Sequence, residues 1–213
     1  MKLIIFLFAL FLGVKATAQI VNHEVEPKGI YKEIDLSNDL KVCKLLLDTN
    51  LNNPQAALID SVEHNANKYT PPVLYVLSNV LFTLKKYNEA AYWFYIAQLR
   101  ARYDINRCTD KTADAYQYNE TFGPVINNYA FTHLDSLEEI VPRVVEYVRS
   151  NEEKYDQRWI NLSGLDAMGA SLGNQPTTKK LSVDENKWAA IKTKTINDFY
   201  ENFKSLLKSL RKK

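Results

Sequence analysis

The chain predicts an all-α fold, a compact array of helical hairpins closed by a carboxy-terminal amphipathic helix. Three observations carry this. Apolar residues recur near every 3.6 positions through most of the chain, whereas the period-2 alternation of a half-buried strand is poor throughout. Proline and short polar residues punctuate the periodic runs where helices should begin, and three of the six glycines fall in one late stretch that reads as a linker.

In order, residues 1–18 read as a signal peptide: a cationic start at Lys2, an apolar run from Leu3 to Val14, and small residues at Ala16 and Ala18. Cleavage after Ala18 would deliver an exported protein, periplasmic or extracellular. The apolar run of about a dozen residues is short of the roughly 20 that a bilayer span needs. Residues 19–162 form the expected helical domain. An extended lead-in containing Pro27 and Gly29 precedes a helix capped by Ser37, with Leu40, Cys43, Leu46 and Leu47 on one face. Asn53 and Pro54 start the next, which buries Ala57, Ile59 and Val62. Thr70 with Pro71 and Pro72 opens a third helix, and the break at Lys85 and Lys86 separates it from a fourth, Glu89 to about Tyr103.

A further helix from Thr109 or Asp110 is expected to reach about Thr121 and stop at Gly123-Pro124. Leu137, Ile140, Val141, Val144, Val145 and Val148 mark another, which Pro142 should kink or shorten. Residues 163–182, with Gly164, Gly169, Gly173 and Pro176, read as a flexible loop. Residues 183–213 form the last element, a basic amphipathic helix opened by a capping box of Ser182 and Glu185. Its apolar side carries Trp188, Ile191, Thr195, Phe199, Phe203, Leu206 and Leu210. The charge pattern favours docking of this helix on its own domain over contact with an anionic membrane. From Lys179 onward ten Lys and Arg face four acidic residues, so the body before it is acidic.

Composition excludes several functions. Removing Lys2 and Lys15 with the signal leaves equal numbers of basic and acidic side chains, so nothing draws the mature chain to nucleic acid. His23, His64 and His133 are far apart and form no metal-ligand pair, and no glycine-rich phosphate loop or nucleophile elbow is present. No cofactor, metal or catalytic residue is expected. Cys43 and Cys108 are 65 residues apart; in an oxidising compartment they can form one disulfide, and two separate buried thiols fit as well.

Residues 71–104 span 34 positions with Pro71 first, Leu74, Leu77, Asn79 and Phe82 on the first helix, and Tyr87, Glu89, Ala90, Phe94 and Ala97 on the turn and the second helix. This stretch resembles a tetratricopeptide repeat, and "YNEAAYWFYIAQ" is similar to the second helix of a Sel1-type repeat. Ser78 stands where the family prefers glycine, and Arg102 where it carries proline. The resemblance implies close helix contact through Ala90 and Ala97, with Leu77, Phe82 and Phe94 filling the space around them. It also implies a non-catalytic module that captures a polypeptide partner.

Successive helix residues diverge by about 100°, so the four aromatics Tyr92 to Tyr95 cannot all face one core. Tyr92, Tyr95, Arg100, Arg102 and Tyr103 are therefore the candidate partner-binding surface, of the residue types enriched at binding hot spots. An envelope assembly factor and an immunity protein against a secreted toxin both fit this pattern. The competing class is a small-ligand site or enzyme lined by Tyr75, Trp93, Tyr116 and Tyr118. A third class is a homo-oligomer formed through the last helix.

Overall fold

The computed structural model describes residues 27–48, 54–176 and 179–212. The signal peptide and the Asn53 cap lie outside these residues. The fold is all-α: α1 Ser37–Leu47, α2 Pro54–His64, α3 Pro71–Thr83, α4 Tyr87–Arg107, α5 Tyr116–Thr132, α6 Leu134–Ser150, α7 Leu165–Ser171 and α8 Trp188–Leu210. Short 3-10 turns lie at Gly29–Glu33, Ala66–Lys68, Gln157–Ser163 and Glu185–Lys187.

The centre of the fold is α4, which packs against α3, α5, α6 and α8. Its buried residues run through Ala90, Trp93, Phe94, Tyr95, Ile96, Ala97, Leu99 and Ala101. A helix apolar on nearly every side needs neighbours on every side, and here it has them. Small side chains set the approach to α3, where Ala90, Ala97 and Leu77 are fully buried and Phe94 meets the edge of Tyr75 at 5.5 Å. Phe82 sits partly buried at the rim, against Tyr87 and Tyr129.

The turn between α3 and α4 is closed by backbone alone. Lys85 adopts a left-handed φ of 62°. Its amide reaches Phe82 O at 3.0 Å and the Lys86 amide reaches Leu81 O at 2.9 Å. That is the pattern of a Schellman helix end, in which two otherwise unpaired carbonyls are satisfied and the chain reverses.

The caps differ from those expected. Asp35, not Ser37, serves the start of α1, accepting the Ser37 amide at 2.8 Å. Thr70 does not cap α3 with its side chain; its amide donates instead to Asp39 of α1 at 2.9 Å, and its hydroxyl donates to the same carboxylate. Neither interior proline ends its helix. Pro124 lies within α5 and Pro142 within α6. In both, residues on either side of the proline are buried, Phe122 and Ile126 in α5 and Val141 and Val144 in α6. Tertiary burial thus outweighs the lost backbone bond, a local cost of about 3 kcal/mol.

The stretch read as a flexible loop contains α7. Its first amides are taken by groups far earlier in the chain: Leu165 N donates to Thr112 Oγ1 at 2.8 Å and Asp166 N to Asp110 Oδ2 at 3.2 Å. Gly164 permits this approach, since a Cβ there would lie 2.0 Å from Asp110 Oδ2. Ala167 and Ala170 then pack with Tyr31, Ile34 and Leu181 in a small second core. At the other end α8 lies on α4 and α6, burying Thr195, Ile196, Phe199, Phe203 and Leu207.

Candidate functional site

The surface expected on α4 is largely interior. Tyr95 is 1 % exposed, Arg100 0 % and Tyr103 4 %, so these residues cannot meet a partner on this fold. The expectation treated α4 as a helix with one core face, but α8 and α6 cover the faces left over. Tyr95 meets Phe203 of α8 edge-on at 4.9 Å and donates its hydroxyl to Asn127 Oδ1 at 3.0 Å. Burial pushes its phenol well above the usual tyrosine range. Arg100 donates to Ala66 O at 2.8 Å and lies over the Tyr147 ring at 5.3 Å. Tyr92 is half-buried beneath Arg143, 5.0 Å from its ring.

Arg102 alone of the five is exposed; its head lies 5.5 Å from the Phe199 ring, and desolvation lowers its pKa. The guanidinium thus rests with one side on the Phe199 ring of α8, which withdraws it partly from water, while the residue as a whole stays exposed. Arg102 and Tyr95 share a shallow notch of about 220 Å³ with Gln98, Asn127, Phe131 and Phe203.

The alternative aromatic pocket is filled as well. Tyr75 and Tyr118 stack on each other at 5.6 Å, and Trp93 is buried with its indole donating to Glu63 at 2.8 Å. Only Tyr116 is open, at 64 % exposure. Cys43 and Cys108 are both free and buried, so the possible disulfide is not formed. They belong to different surroundings, Cys43 within α1 and Cys108 beside Asn161, whose Oδ1 lies 3.1 Å from the thiol.

The sequence reading ended α4 near Tyr103 and so missed what its last turn carries. Arg100, Asp104 and Arg107 follow at i, i+4 and i+7, one polar stripe along an otherwise apolar helix, and all three are buried. Such a stripe inside an apolar run is visible in sequence once the helix is drawn to its full length. Asp104 is ion-paired with Arg107 through one oxygen. Its other oxygen accepts from Tyr155 OH at 2.9 Å and from Trp159 Nε1 at 2.7 Å. Burial raises the Asp104 pKa to about 6, against the lowering pull of Arg107 and the two hydrogen-bond donors.

Arg107 lies 3.8 Å above the Tyr103 ring and 5.0 Å from that of Trp188, and it donates to Gln157. Beside this group Glu153 accepts from Lys192 of α8 at 2.9 Å and stands 4.0 Å from Arg100 Nε. The whole cluster joins α4, the segment after α6, and the start of α8.

Above the cluster a cleft of about 760 Å³ opens. One wall is the turn Tyr155–Arg158, a second is the run from Lys179 to Glu185, and Ile30, Glu33 and Trp188 complete the lining. The run on the second wall is held extended by an antiparallel bridge between Cys108 and Ser182. Leu181 O accepts from Thr109 N at 3.4 Å, and Val183 N donates to Arg107 O at 2.8 Å. The cleft's charges are mostly engaged with one another. Arg158 pairs with Asp156 at 2.9 Å and Glu33 at 3.0 Å, and Lys180 with Asp184 at 2.9 Å.

Asp104 is sealed beneath this cleft, 1 % exposed, with both oxygens engaged, so it is placed to hold structure rather than to exchange protons with a ligand. No group of His, Cys, Asp and Glu among the described residues is arranged to hold a metal ion. No helix among them is long and apolar enough to cross a membrane. Comparison with protein-family models, with characterised proteins and with solved structures found no match to this chain.

Proposed function

We propose that this chain is a non-catalytic, exported protein-binding module that captures a polypeptide partner in the cleft between residues 155–158 and 179–185. The observation that carries the reading is the cleft itself. It combines a large open volume, an extended backbone wall, and ionic groups that neutralise one another rather than converging on a point where charge would develop. The accessible charges of the lining pair acid with base, Arg158 with Asp156 and Glu33 and Lys180 with Asp184, and the buried carboxylate of the floor, Asp104, is enclosed. The export half of the proposal draws on the sequence of residues 1–18 alone. The tetratricopeptide-like hairpin serves in this reading as the core that fixes the cleft's walls, not as the binding face.

Site-specific photo-crosslinking in the producing cell tests it. A photoreactive phenylalanine at Val183, which lines the cleft, should give discrete adducts to another polypeptide. The same group at the exposed Leu84, outside the cleft, should not. Equal adduct patterns from both positions would contradict the assignment.

A further inference from the structure

Helix α7 turns its small apolar residues inward and its large ones outward. Ala167 and Ala170 pack with Tyr31, Ile34 and Leu181, while Leu165, Met168 and Leu172 follow at i, i+3 and i+7 along the opposite side and are exposed. Packing on the fold alone would favour the reverse, with the leucines buried and the alanines outside. Tyr116, exposed as well, stands beside this stripe. The segment leading into α5 is tied to the start of α7, Asp114 N donating to Ser163 Oγ at 3.1 Å and Leu165 N to Thr112 Oγ1 at 2.8 Å.

Of the six large apolar side chains exposed among the described residues, four therefore gather at one place; the others are Leu84 and Val125. Single exposed apolar residues are ordinary on a protein surface, but a gathered set marks a face that an apolar partner covers. Water cannot satisfy it as it satisfies a free polar group.

Two observations select the partner. Four side chains are few against the roughly 20–30 residues a side that a stable protein–protein interface takes, and they line neither cleft described above. A lipid surface demands no matching shape and takes up protruding apolar and tyrosine side chains. The second observation is where the chain enters the fold. Lys28, at the start of the described residues, donates its Nζ to Ser171 O at 2.7 Å, at the end of α7. The sequence ahead of it carries the apolar run Leu3 to Val14, the part of an export signal that sits in the membrane during translocation. The stripe thus lies where the fold is joined to the segment that meets the bilayer. The charged residues nearest it along the chain, Lys28, Lys111, Asp114, Glu120 and Asp166, are of both signs, so the contact is apolar rather than electrostatic.

We propose that α7 is a membrane-surface contact, in which Leu165, Met168, Leu172 and Tyr116 enter the headgroup boundary of a lipid bilayer and hold the protein there reversibly. This contact is independent of the polypeptide-binding cleft.

The test uses the chain from Gln19 onward and vesicles of phosphatidylcholine and phosphatidylglycerol in equal parts. The protein should float with the vesicles and stay with them when salt is raised. Met168→Gln combined with Leu172→Gln should weaken binding about tenfold or more, whereas Leu84→Gln combined with Val125→Gln should leave it unchanged. All four positions are exposed and glutamine is a good helix former, so the variants should keep their helical circular dichroism. Should the α7 variant unfold, a fluorophore decides. Placed on Leu172→Cys it should shift to the blue on adding vesicles and be quenched by brominated lipid, and on Leu84→Cys it should do neither. Cys43 and Cys108 are buried and stay unlabelled.

No flotation of the wild type, or equal flotation of the two glutamine variants, would overturn the proposal. Binding lost on raising salt would assign attraction to the lysines and overturn apolar insertion. Concentration-dependent dimerisation without vesicles that the α7 variant abolishes would replace the bilayer with a second copy of the chain.

Discussion

Trp159 donates its indole N–H to Asp104 at 2.7 Å, fastening the turn after α6 to the last turn of α4 across 55 residues of sequence. The same carboxylate holds Arg107 and Tyr155. One buried acid thus organises the floor of the cleft, and removing any of its donors should be felt as stability.

Trp159→Phe keeps an aromatic ring against Tyr118, which Trp159 meets edge-on at 6.0 Å, but it removes the hydrogen bond and some volume. A hydrogen bond to a charged acceptor contributes about 1.5–3 kcal/mol, and the lost volume adds to that. The variant should lose roughly 2–4 kcal/mol in urea unfolding, with an unchanged m value.

Arg100 and Arg102 are two residues apart and should behave in opposite ways. Arg100→Ala strips a fully buried guanidinium from Ala66 O and from beside Glu153, leaving that acid with Lys192 alone. Breaking a buried charge pair costs about 3–5 kcal/mol. Arg102→Ala removes an exposed head and should shift stability by less than about 1 kcal/mol. Thermal melts of the two variants separate a structural from a surface role at these positions.

The cysteines give a third test. Burial pushes the Cys43 thiol up to about 12 and that of Cys108 to about 11, so neither is a thiolate at pH 8. The native chain, purified under oxidising conditions, should leave both unmodified by iodoacetamide for hours. After denaturation without reductant, both should alkylate, adding two carbamidomethyl groups to the mass. A bridged pair would add none.

Much of the fold was legible. Helix periodicity, the prolines of α3, and the small residues Ala90 and Ala97 were read in their observed places. What sequence could not supply was the number of neighbours each helix would have. The aromatic run Tyr92 to Tyr95 was read as overfull for one core face; α4 instead has cores on several faces, so crowding meant centrality rather than exposure. The 163–182 stretch was read as loop because its glycines are a local signal. The caps that make α7 possible come from Asp110 and Thr112, more than fifty residues away. The cleft was invisible for the same reason: its walls come from Ile30, Glu33, residues 155–158, residues 179–185 and Trp188, joined by pairings no local pattern encodes.

Hydroxyl-radical footprinting of the native chain, read residue by residue in a mass spectrometer, tests most directly whether α4 is enclosed and the binding face lies elsewhere. Trp93, Tyr95, Tyr103 and Trp159 should remain unoxidised, while Tyr116, Met168 and Leu172, the last 80 % exposed, should be modified readily. Oxidation of Tyr95 and Tyr103 at the rate of Tyr116 would contradict the enclosure of α4 and return the binding surface to that helix.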